Sequence, residues 1–326
     1  GVEVARYMVW GQNNANNTQL DMIVVQPGSK VKGGAIVVKV NNRSSNTNHT
    51  FSVNTGKIYA IAKTGRDSNA CSLTLPCATI SHVASNVMLP GDTVLVRGGD
   101  YSEGEIWLRK SGLAGKALVI KNYPGEKVTL SNAARPFYLD ADYITVSGFH
   151  FTNGKSLGIT GWAKRNQIAN RLINNTFKGV IAYDAIGSHG DSHFIAGNVC
   201  EVSGSTQGTQ GHCYYISYGR NVSVIYNVAS GAPGYGIHVF DQCRLLRAGG
   251  GCDTSKDFRR VISNLLIEGN IVKNSTRRSG LILAMNDEGK LGNYIDNVII
   301  RNNIFTANNH AGIRLFSISR NIKIYH

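Results

Sequence analysis

The hexapeptide Leu172-Ile-Asn-Asn-Thr-Phe177 is the strongest indication of the fold, because close variants of it recur through the second half of the chain. Each copy reads apolar, variable, Gly or Asn, Asn, variable, apolar. The copies span residues 172–177, 195–200, 224–229, 267–272 and 300–305, with a degenerate copy at 146–151. The shared Asn falls at positions 175, 198, 227, 270 and 303, at intervals of 23, 29, 43 and 33 residues. Repetition of this kind is typical of a repeat architecture.

The hexapeptide describes a short strand, a sharp corner and a second short strand, since Gly and Asn tolerate left-handed backbone. A shortest interval of 23 residues, with insertions between other copies, predicts one coil of a right-handed parallel β-helix per copy. In such a solenoid the corner asparagines stack from coil to coil and form hydrogen bonds along the axis. Five unrelated turns in a β-sandwich are the alternative, but a sandwich gives no reason for one hexapeptide to recur.

Composition agrees with an all-β fold. The chain has 326 residues, 42% of them hydrophobic, with 37 Gly and only 6 Pro, and no amphipathic helix of normal length is visible. Residues 1–56 read as short strands of a separate module, and residues 57–326 read as the solenoid. The prediction is therefore two domains with a boundary near residue 56.

The net charge of +14 favours a polyanionic partner. The sequence has no nucleic-acid-binding signature, so nucleic acid is not expected. An acidic polysaccharide or a cell-envelope glycan is the expected partner. In the alternative interpretation the charge only keeps an extracellular protein in solution.

Six cysteines predict disulfides and an oxidising, extracellular or cell-surface location. Cys71 with Cys77 and Cys243 with Cys252 would each close a small loop, and Cys200 with Cys213 would form a third pair on successive coils. No cysteine spacing matches a zinc site, and no apolar run is long enough to span a membrane. Glycosylation sequons begin at Asn16, Asn42, Asn48, Asn174, Asn221 and Asn274.

Two segments resemble known families. Gly33-Gly-Ala-Ile-Val-Val-Lys-Val40, followed by Phe51-Ser-Val53, resembles the last strands of an immunoglobulin-like domain of the IPT/TIG type, which implies that residues 1–56 form part of a β-sandwich. Pro76-Cys-Ala-Thr-Ile-Ser-His-Val-Ala84 and Pro90-Gly-Asp-Thr-Val94 resemble the entry segment of secreted right-handed parallel β-helix proteins, the pectate-lyase-like superfamily.

The second resemblance implies that residues 57–100 form the entry and cap of the solenoid, with a short helix at Thr79–Ala84. A cap is needed because an open coil end exposes apolar side chains and unpaired backbone. The resemblance is specific for fold and weak for activity, since this fold carries lyases, hydrolases and structural proteins. Calcium, a cofactor of many of these lyases, is implied by the resemblance only. No acidic cluster in the sequence marks a calcium site, and no metal ligand is assigned.

Candidate catalytic residues come from aligning the strands that begin at Cys213, Gly236, Gly280 and Gly312. Side chains alternate along a strand, so the outward positions are Tyr215, His238, Ile282 and Arg314, with neighbouring coils about 4.8 Å apart. His212 begins the first of these strands and Arg220 follows in the next corner. The candidates are Tyr215, His238, His212, Arg220 and Arg314.

These residue types suit β-elimination from a uronate. The reaction needs a base for the C5 proton, a donor for the leaving oxygen and a cation on the carboxylate. In the alternative interpretation Tyr and His are ordinary surface residues of exposed strands. The insertion at 241–260, closed by Cys243 and Cys252, is expected to form one wall of a substrate groove through Arg244, Arg247, Lys256, Arg259 and Arg260. In the alternative interpretation it is an ordinary surface excursion or a contact between protomers.

The sequence thus predicts a secreted or cell-surface β-helix protein that engages acidic polysaccharide, with β-elimination as the candidate reaction. The rival prediction is a structural or adhesive extracellular protein, such as a filament subunit that self-associates through strand edges or coil ends.

Overall fold

The computed structural model describes residues 4–10, 23–27, 33–47, 50–51, 53, 55–131, 136–152, 159–160, 167–181, 183–205, 208–217, 219–241, 261–285 and 294–325. The chain divides into two compact units, Gly1–Thr55 and Gly56–His326. In the first unit, three antiparallel pairs are described: Val4–Trp10 with Ile23–Pro27, Gly34–Ala35 with Thr50–Phe51, and Lys39–Val40 with Arg43–Ser44. The immunoglobulin-like resemblance of this unit stays a prediction.

The second unit is the predicted right-handed parallel β-helix, built from three parallel sheets. Most coils add one strand to each sheet in turn, and one coil adds two short strands, Ile159–Thr160 and Gln167–Ile168, to the third sheet. The first sheet contains Ile58–Ile61, Thr93–Val96, Leu118–Asn122, Ile144–Ser147, Arg171–Ile173, Phe194–Ala196, Ser223–Ile225, Val261–Glu268, Tyr294–Arg301 and Ser319–Tyr325.

The second sheet contains Gly99–Tyr101, Val128–Ser131, Phe149–Thr152, Thr176–Ile181, Val199–Ser205, Val228–Ser230, Ile271–Lys273 and Ile304–Thr306. The third sheet contains Ile106–Leu108, Phe137–Leu139, Ile159–Thr160, Gln167–Ile168, Asp184–Asp191, His212–Ser217, Ile237–Asp241, Leu281–Met285 and Ile313–Leu315. A short 3-10 helix, Gly208–Gln210, leads into the strand His212–Ser217.

Alternation of buried and half-buried side chains explains why these segments form strands. Thr93–Val96 and Val128–Ser131 each point every second residue into one continuous core. Aromatic side chains from successive coils pack on one another there, as Phe151 and Phe177 do with ring centroids 4.6 Å apart.

The predicted cap helix is present, as Ile80–His82 followed by a π-helical turn, Val83–Val87. The Thr79 side chain accepts a hydrogen bond from the His82 N–H at 3.2 Å, which caps the helix. Ile80 is fully buried against the first coils. The helix therefore closes the apolar end of the solenoid.

The phrase Pro90-Gly91-Asp92 forms the turn into the first full coil. Gly91 has a φ of +96°, a conformation that favours glycine. The buried Asp92 carboxylate accepts the backbone N–H of Lys57 at 2.7 Å and that of Leu89 at 2.8 Å. This carboxylate joins the entry strand to the turn, which explains why the phrase requires an acid.

The predicted asparagine ladder is confirmed. The Oδ1 atoms of Asn198, Asn227, Asn270 and Asn303 each accept the backbone N–H of the ladder asparagine one coil earlier, at 2.9 Å, and Asn175 begins the series. The side-chain amides are also joined, with Nδ2 to Oδ1 distances of 2.9 to 3.2 Å. Asn175, Asn198, Asn227 and Asn270 are buried, so the ladder provides hydrogen-bond partners for amide groups inside the solenoid wall.

Two predicted disulfides are present, Cys71–Cys77 with Cα atoms 4.5 Å apart and Cys200–Cys213 with Cα atoms 5.8 Å apart. The placement of the second pair on successive coils is wrong. Cys200 lies in Val199–Ser205 and Cys213 in His212–Ser217, which are consecutive strands of one coil. Cys243 and Cys252 lie outside the described residues.

In the described part of the chain, no helix has the length and apolar character needed to cross a membrane.

Candidate functional site

The aligned outward positions lie in register along the third sheet. Tyr215 pairs with His238, His238 with Ile282, and Ile282 with Arg314. The Tyr215 and His238 rings meet edge to face with centroids 4.8 Å apart. Parallel coils with few residues between strands produce this column, because each coil returns the same strand position to the same face.

The expectation that this column is wholly exposed to solvent is wrong for Tyr215 and for Ile282, which is 4% exposed. Tyr215 is only 6% exposed, and every residue of His212–Ser217 is buried. Both faces of this strand are therefore covered, whereas alternation alone predicts one open face. His238 and Arg314 are half-buried.

A cleft of about 310 Å³ opens on this face. The described residues that line it are uncharged polar, aromatic, apolar and cationic: Thr209, Gln210, His212, Tyr235, His238, Phe240, Arg278, Ile282, Ala284, Arg314 and Phe316. Aromatic faces beside polar groups suit a sugar ring, and two guanidiniums suit an acidic one.

His212 lies in the cleft as a neutral ring with a defined tautomer. The backbone N–H of Tyr235 donates to His212 Nδ1 at 2.9 Å. Nδ1 is thus an acceptor, so the hydrogen of the neutral ring is on Nε2. Burial, together with the nearby Arg278 cation, lowers the pKa of His212 to about 3. The ring offers a hydrogen-bond donor at neutral pH.

His238 is the second imidazole of the cleft. Its ring centroid lies 4.4 Å from that of His212 and 5.2 Å from that of Phe240. Burial, then the neighbouring His212 and Arg278, hold the pKa of His238 well below its ordinary value. Its Nδ1 is buried with no hydrogen-bond partner among the described residues. His238 is therefore uncharged at neutral pH and able to accept a proton.

Arg278 lines the cleft and is not among the residues that the sequence predicts for the site. It lies in the corner between Ile271–Lys273 and Leu281–Met285, two residues before the aligned Gly280. Tyr235, also missed, immediately precedes the aligned Gly236. Extending the strand alignment by two residues toward its N-terminal side finds both.

Arg314 lies in the cleft as expected, and Arg220 does not. The Arg314 guanidinium stacks over the Phe316 ring at 4.8 Å, which fixes its direction. Arg220 is exposed at a corner and pairs with the Asp191 carboxylate at 2.7 Å. The structure thus places His212, His238 and Arg314 in one cleft. The Tyr215 ring contacts His238 but is not among the residues that line the cleft. Arg220 lies outside the cleft, in an ion pair with Asp191.

The residues of the expected basic wall lie outside the described part of the chain. They are Arg244, Arg247, Lys256, Arg259 and Arg260. Of the sequon asparagines, Asn42, Asn174, Asn221 and Asn274 are exposed at corners with positive φ, and their glycosylation stays a prediction. Asn16 and Asn48 are also outside the described residues.

The cleft does not fit the calcium ion that the family resemblance implies. Calcium takes six to eight oxygen ligands, largely carboxylates. Among the described cleft residues none is acidic and two are arginine. A transition metal on His212 does not fit either, because Nε2 carries the hydrogen while Nδ1 accepts from Tyr235. Elsewhere in the described chain Cys71, Cys77 and His82 lie together, but the two thiols form a disulfide.

Comparison with known proteins shows the fold. No protein-family model and no curated protein matches the chain. Among solved structures, the chain is similar to pectate lyase Pel9A, with 13% identity and a TM-score of 0.52 over 82% of this chain and 78% of that one. The chain shares with it the parallel β-helix fold. It is also similar to XylC in complex with xylose, with 14% identity and a TM-score of 0.51 over 82% and 68% of the two chains.

Proposed function

We propose that this protein binds an acidic polysaccharide in the cleft of the third sheet and cleaves it by β-elimination. The observation that carries the proposal is the presence of two uncharged imidazoles and two arginines in one cleft. The solved structures of similar fold include a pectate lyase, which supports a polysaccharide substrate.

The four side chains divide the reaction between them. His238 accepts the proton from C5 of the uronate, and the electron pair forms the C4–C5 double bond as the C4–O bond breaks. The neutral His212 lies beside it, and its Nε2–H donates a hydrogen bond to the leaving oxygen, which takes its proton from the His238 imidazolium so that both rings return to their neutral forms. Arg278 and Arg314 bind carboxylates and stabilise the negative charge that develops during proton removal.

Substrate binding itself strengthens His238 as a base. A carboxylate bound at Arg278 offsets the cationic charge that helps to lower the pKa of His238. A nearby negative charge also favours the imidazolium. Burial is the larger cause of the low pKa, so a bound carboxylate offsets only the smaller contribution of Arg278 and makes His238 a somewhat stronger base in the bound state.

A secreted or cell-surface location follows as part of the proposal. Two disulfides are typical of an oxidising compartment, and acidic polysaccharides are extracellular polymers.

The test is an absorbance screen for unsaturated uronate across pectate, alginate and glycosaminoglycans. We expect at least one polymer to give the conjugated product. His238→Ala should lower turnover on the order of 100-fold or more, while thermal unfolding and circular dichroism stay unchanged. Equal turnover by His238→Ala and wild type would remove His238 from the mechanism.

Non-catalytic glycan binding is a second candidate function, and one observation favours it. Imidazoles that act as bases are usually oriented by a hydrogen bond at their other nitrogen, and His238 Nδ1 has no such partner among the described residues. Binding of an acidic polysaccharide without any product would favour this candidate, which also covers an adhesive or filament-forming role.

A further inference from the structure

We propose that the cleft works without a metal ion, and that Arg278 and Arg314 bind uronate carboxylates that a calcium ion would otherwise hold. The inference rests on the proposed function, and it departs from what the family resemblance implies. It names the substrate class more narrowly as a run of consecutive uronates.

The described part of the cleft offers few oxygen ligands for calcium. Among the described cleft residues the oxygen-bearing side chains are those of Thr209, Gln210 and Tyr235, all uncharged. Calcium sites obtain their affinity largely from the number of charged carboxylate ligands. Three neutral oxygens are a poor substitute, so the described part of the cleft lacks the ligands for a tightly held calcium ion.

The positive charges of Arg278 and Arg314 also disfavour a divalent cation in the cleft. Arg278 is close enough to both imidazoles to lower the pKa of His212 and of His238. Arg314 lies two coils from His238 in the same column, which corresponds to about 10 Å along the axis. A divalent cation placed between these arginines would meet like charge from both, with no acidic side chain among the described lining residues to offset it.

The planar guanidinium of arginine can bind a uronate carboxylate directly. A guanidinium binds a carboxylate with two parallel hydrogen bonds, and it needs no metal bridge to do so. The stacking of Arg314 on Phe316 holds one guanidinium in place before substrate arrives. Arg278 lies on the coil after that of His238 and Arg314 on the coil after that, so one carboxylate binds near the reacting sugar and another at a neighbouring sugar. The cleft therefore favours polyuronates over a glycan with a single acidic residue.

The experiment is calorimetric binding of a short oligogalacturonate and a short oligomannuronate to the full chain, in chelator and in added calcium. We expect the same Kd in both buffers. Arg278→Gln and Arg314→Gln should each weaken binding about 10-fold or more, since each removes charge-assisted hydrogen bonds. Arg278→Lys, which keeps the charge and loses the two-pronged geometry, should fall between wild type and Arg278→Gln.

Arg109→Gln is the matched control. Arg109 is an exposed arginine that stacks on Trp107, outside the residues that line the cleft. The Arg109→Gln variant should bind both oligomers with the same Kd as the wild type. An equal loss in Arg109→Gln would show that net charge alone attracts the ligand, which overturns the assignment of Arg278 and Arg314.

A calcium requirement would overturn the inference and leave the proposed function standing. Asp241→Asn sharpens that result, because Asp241 directly follows the cleft residue Phe240. Calcium-dependent binding that disappears in Asp241→Asn would show a metal site at this end of the strand. No binding of either oligomer in either buffer would instead overturn the choice of polyuronate substrate on which both proposals rest.

Discussion

At the residue scale, the buried amides of the ladder make each asparagine hard to replace. Asn270 Oδ1 accepts from the backbone and side chain of Asn227, and its Nδ2 donates to Val224 O and Asn303 Oδ1. We expect Asn270→Ala to lower the free energy of unfolding by about 1–3 kcal/mol, because buried partners lose their hydrogen bonds. Asn303→Ala at the half-buried end should cost less, since water can reach its partners. Chemical denaturation measures both, and equal losses would contradict this reading.

Tyr215 and His238 can be separated by their side-chain chemistry. Tyr215 is buried and is not one of the cleft-lining residues, although its ring touches His238. Tyr215→Phe keeps that ring contact, so turnover should fall less than about 10-fold, against roughly 100-fold for His238→Ala. Steady-state kinetics on the polymer found in the absorbance screen compares them. A loss of turnover in Tyr215→Phe as large as in His238→Ala would show that the Tyr215 hydroxyl takes part in the reaction.

The depressed pKa of His212 makes stability depend on pH. Above the ordinary pKa of about 6.5, the folded and unfolded rings are both neutral. As pH falls below that value the unfolded ring binds a proton and the folded ring does not, so stability is lost until pH reaches the folded pKa of about 3. The loss is at most about 1.4 kcal/mol per pH unit.

His212→Gln isolates this contribution, because its side-chain oxygen can still accept from the Tyr235 N–H. Asp184 acts in the opposite sense, since burial raises its pKa and its stabilising effect is lost as pH rises above its unfolded value. Denaturation at pH 7 and pH 5 should therefore show a smaller wild-type minus His212→Gln difference at pH 5. An unchanged difference would mean that the folded pKa of His212 is ordinary.

At the element scale, the Cys200–Cys213 disulfide supports the strand that carries the cleft. It joins the second and third sheets within one coil, and His212 and Tyr215 lie on either side of Cys213. Replacing both cysteines by Ser should lower the free energy of unfolding by about 2–3 kcal/mol for a loop of this length, and should weaken substrate binding. The Cys71–Cys77 double variant, in the entry segment, should lose stability without a change in binding. Equal binding losses in the two variants would contradict a local role.

Strand-level features could be predicted because they depend on local pattern. The recurring Asn fixed the corners, and period-two alternation placed Tyr215 and His238 in register. The burial of Tyr215 could not be predicted, because it depends on what packs over the sheet. Arg278 lies in a corner, where alternation gives no information. The single-coil position of Cys200 and Cys213 could have been deduced, because their separation of 13 residues is shorter than the shortest interval of 23.

At the scale of the whole molecule, the net charge of +14 should act at long range on a polyanion. We expect capture of a polyuronate to slow steeply between low and physiological salt, because exposed charges are screened over about 8 Å at physiological ionic strength. The Arg278 contribution inside the cleft should change less. Stopped-flow association at several salt concentrations measures the first effect, and a salt-independent rate would show that the overall charge plays no part.

Digestion of a polyuronate in water enriched in heavy oxygen, followed by mass spectrometry of the products, distinguishes β-elimination from hydrolysis. β-Elimination breaks the C4–O bond without adding water, so we predict unsaturated ends and no heavy oxygen in the fragments. One heavy oxygen atom per bond cleaved, at the new reducing end and without any unsaturated end, would show hydrolysis, and intact polymer for every polyuronate would show that this cleft performs no cleavage. Either result would contradict the account.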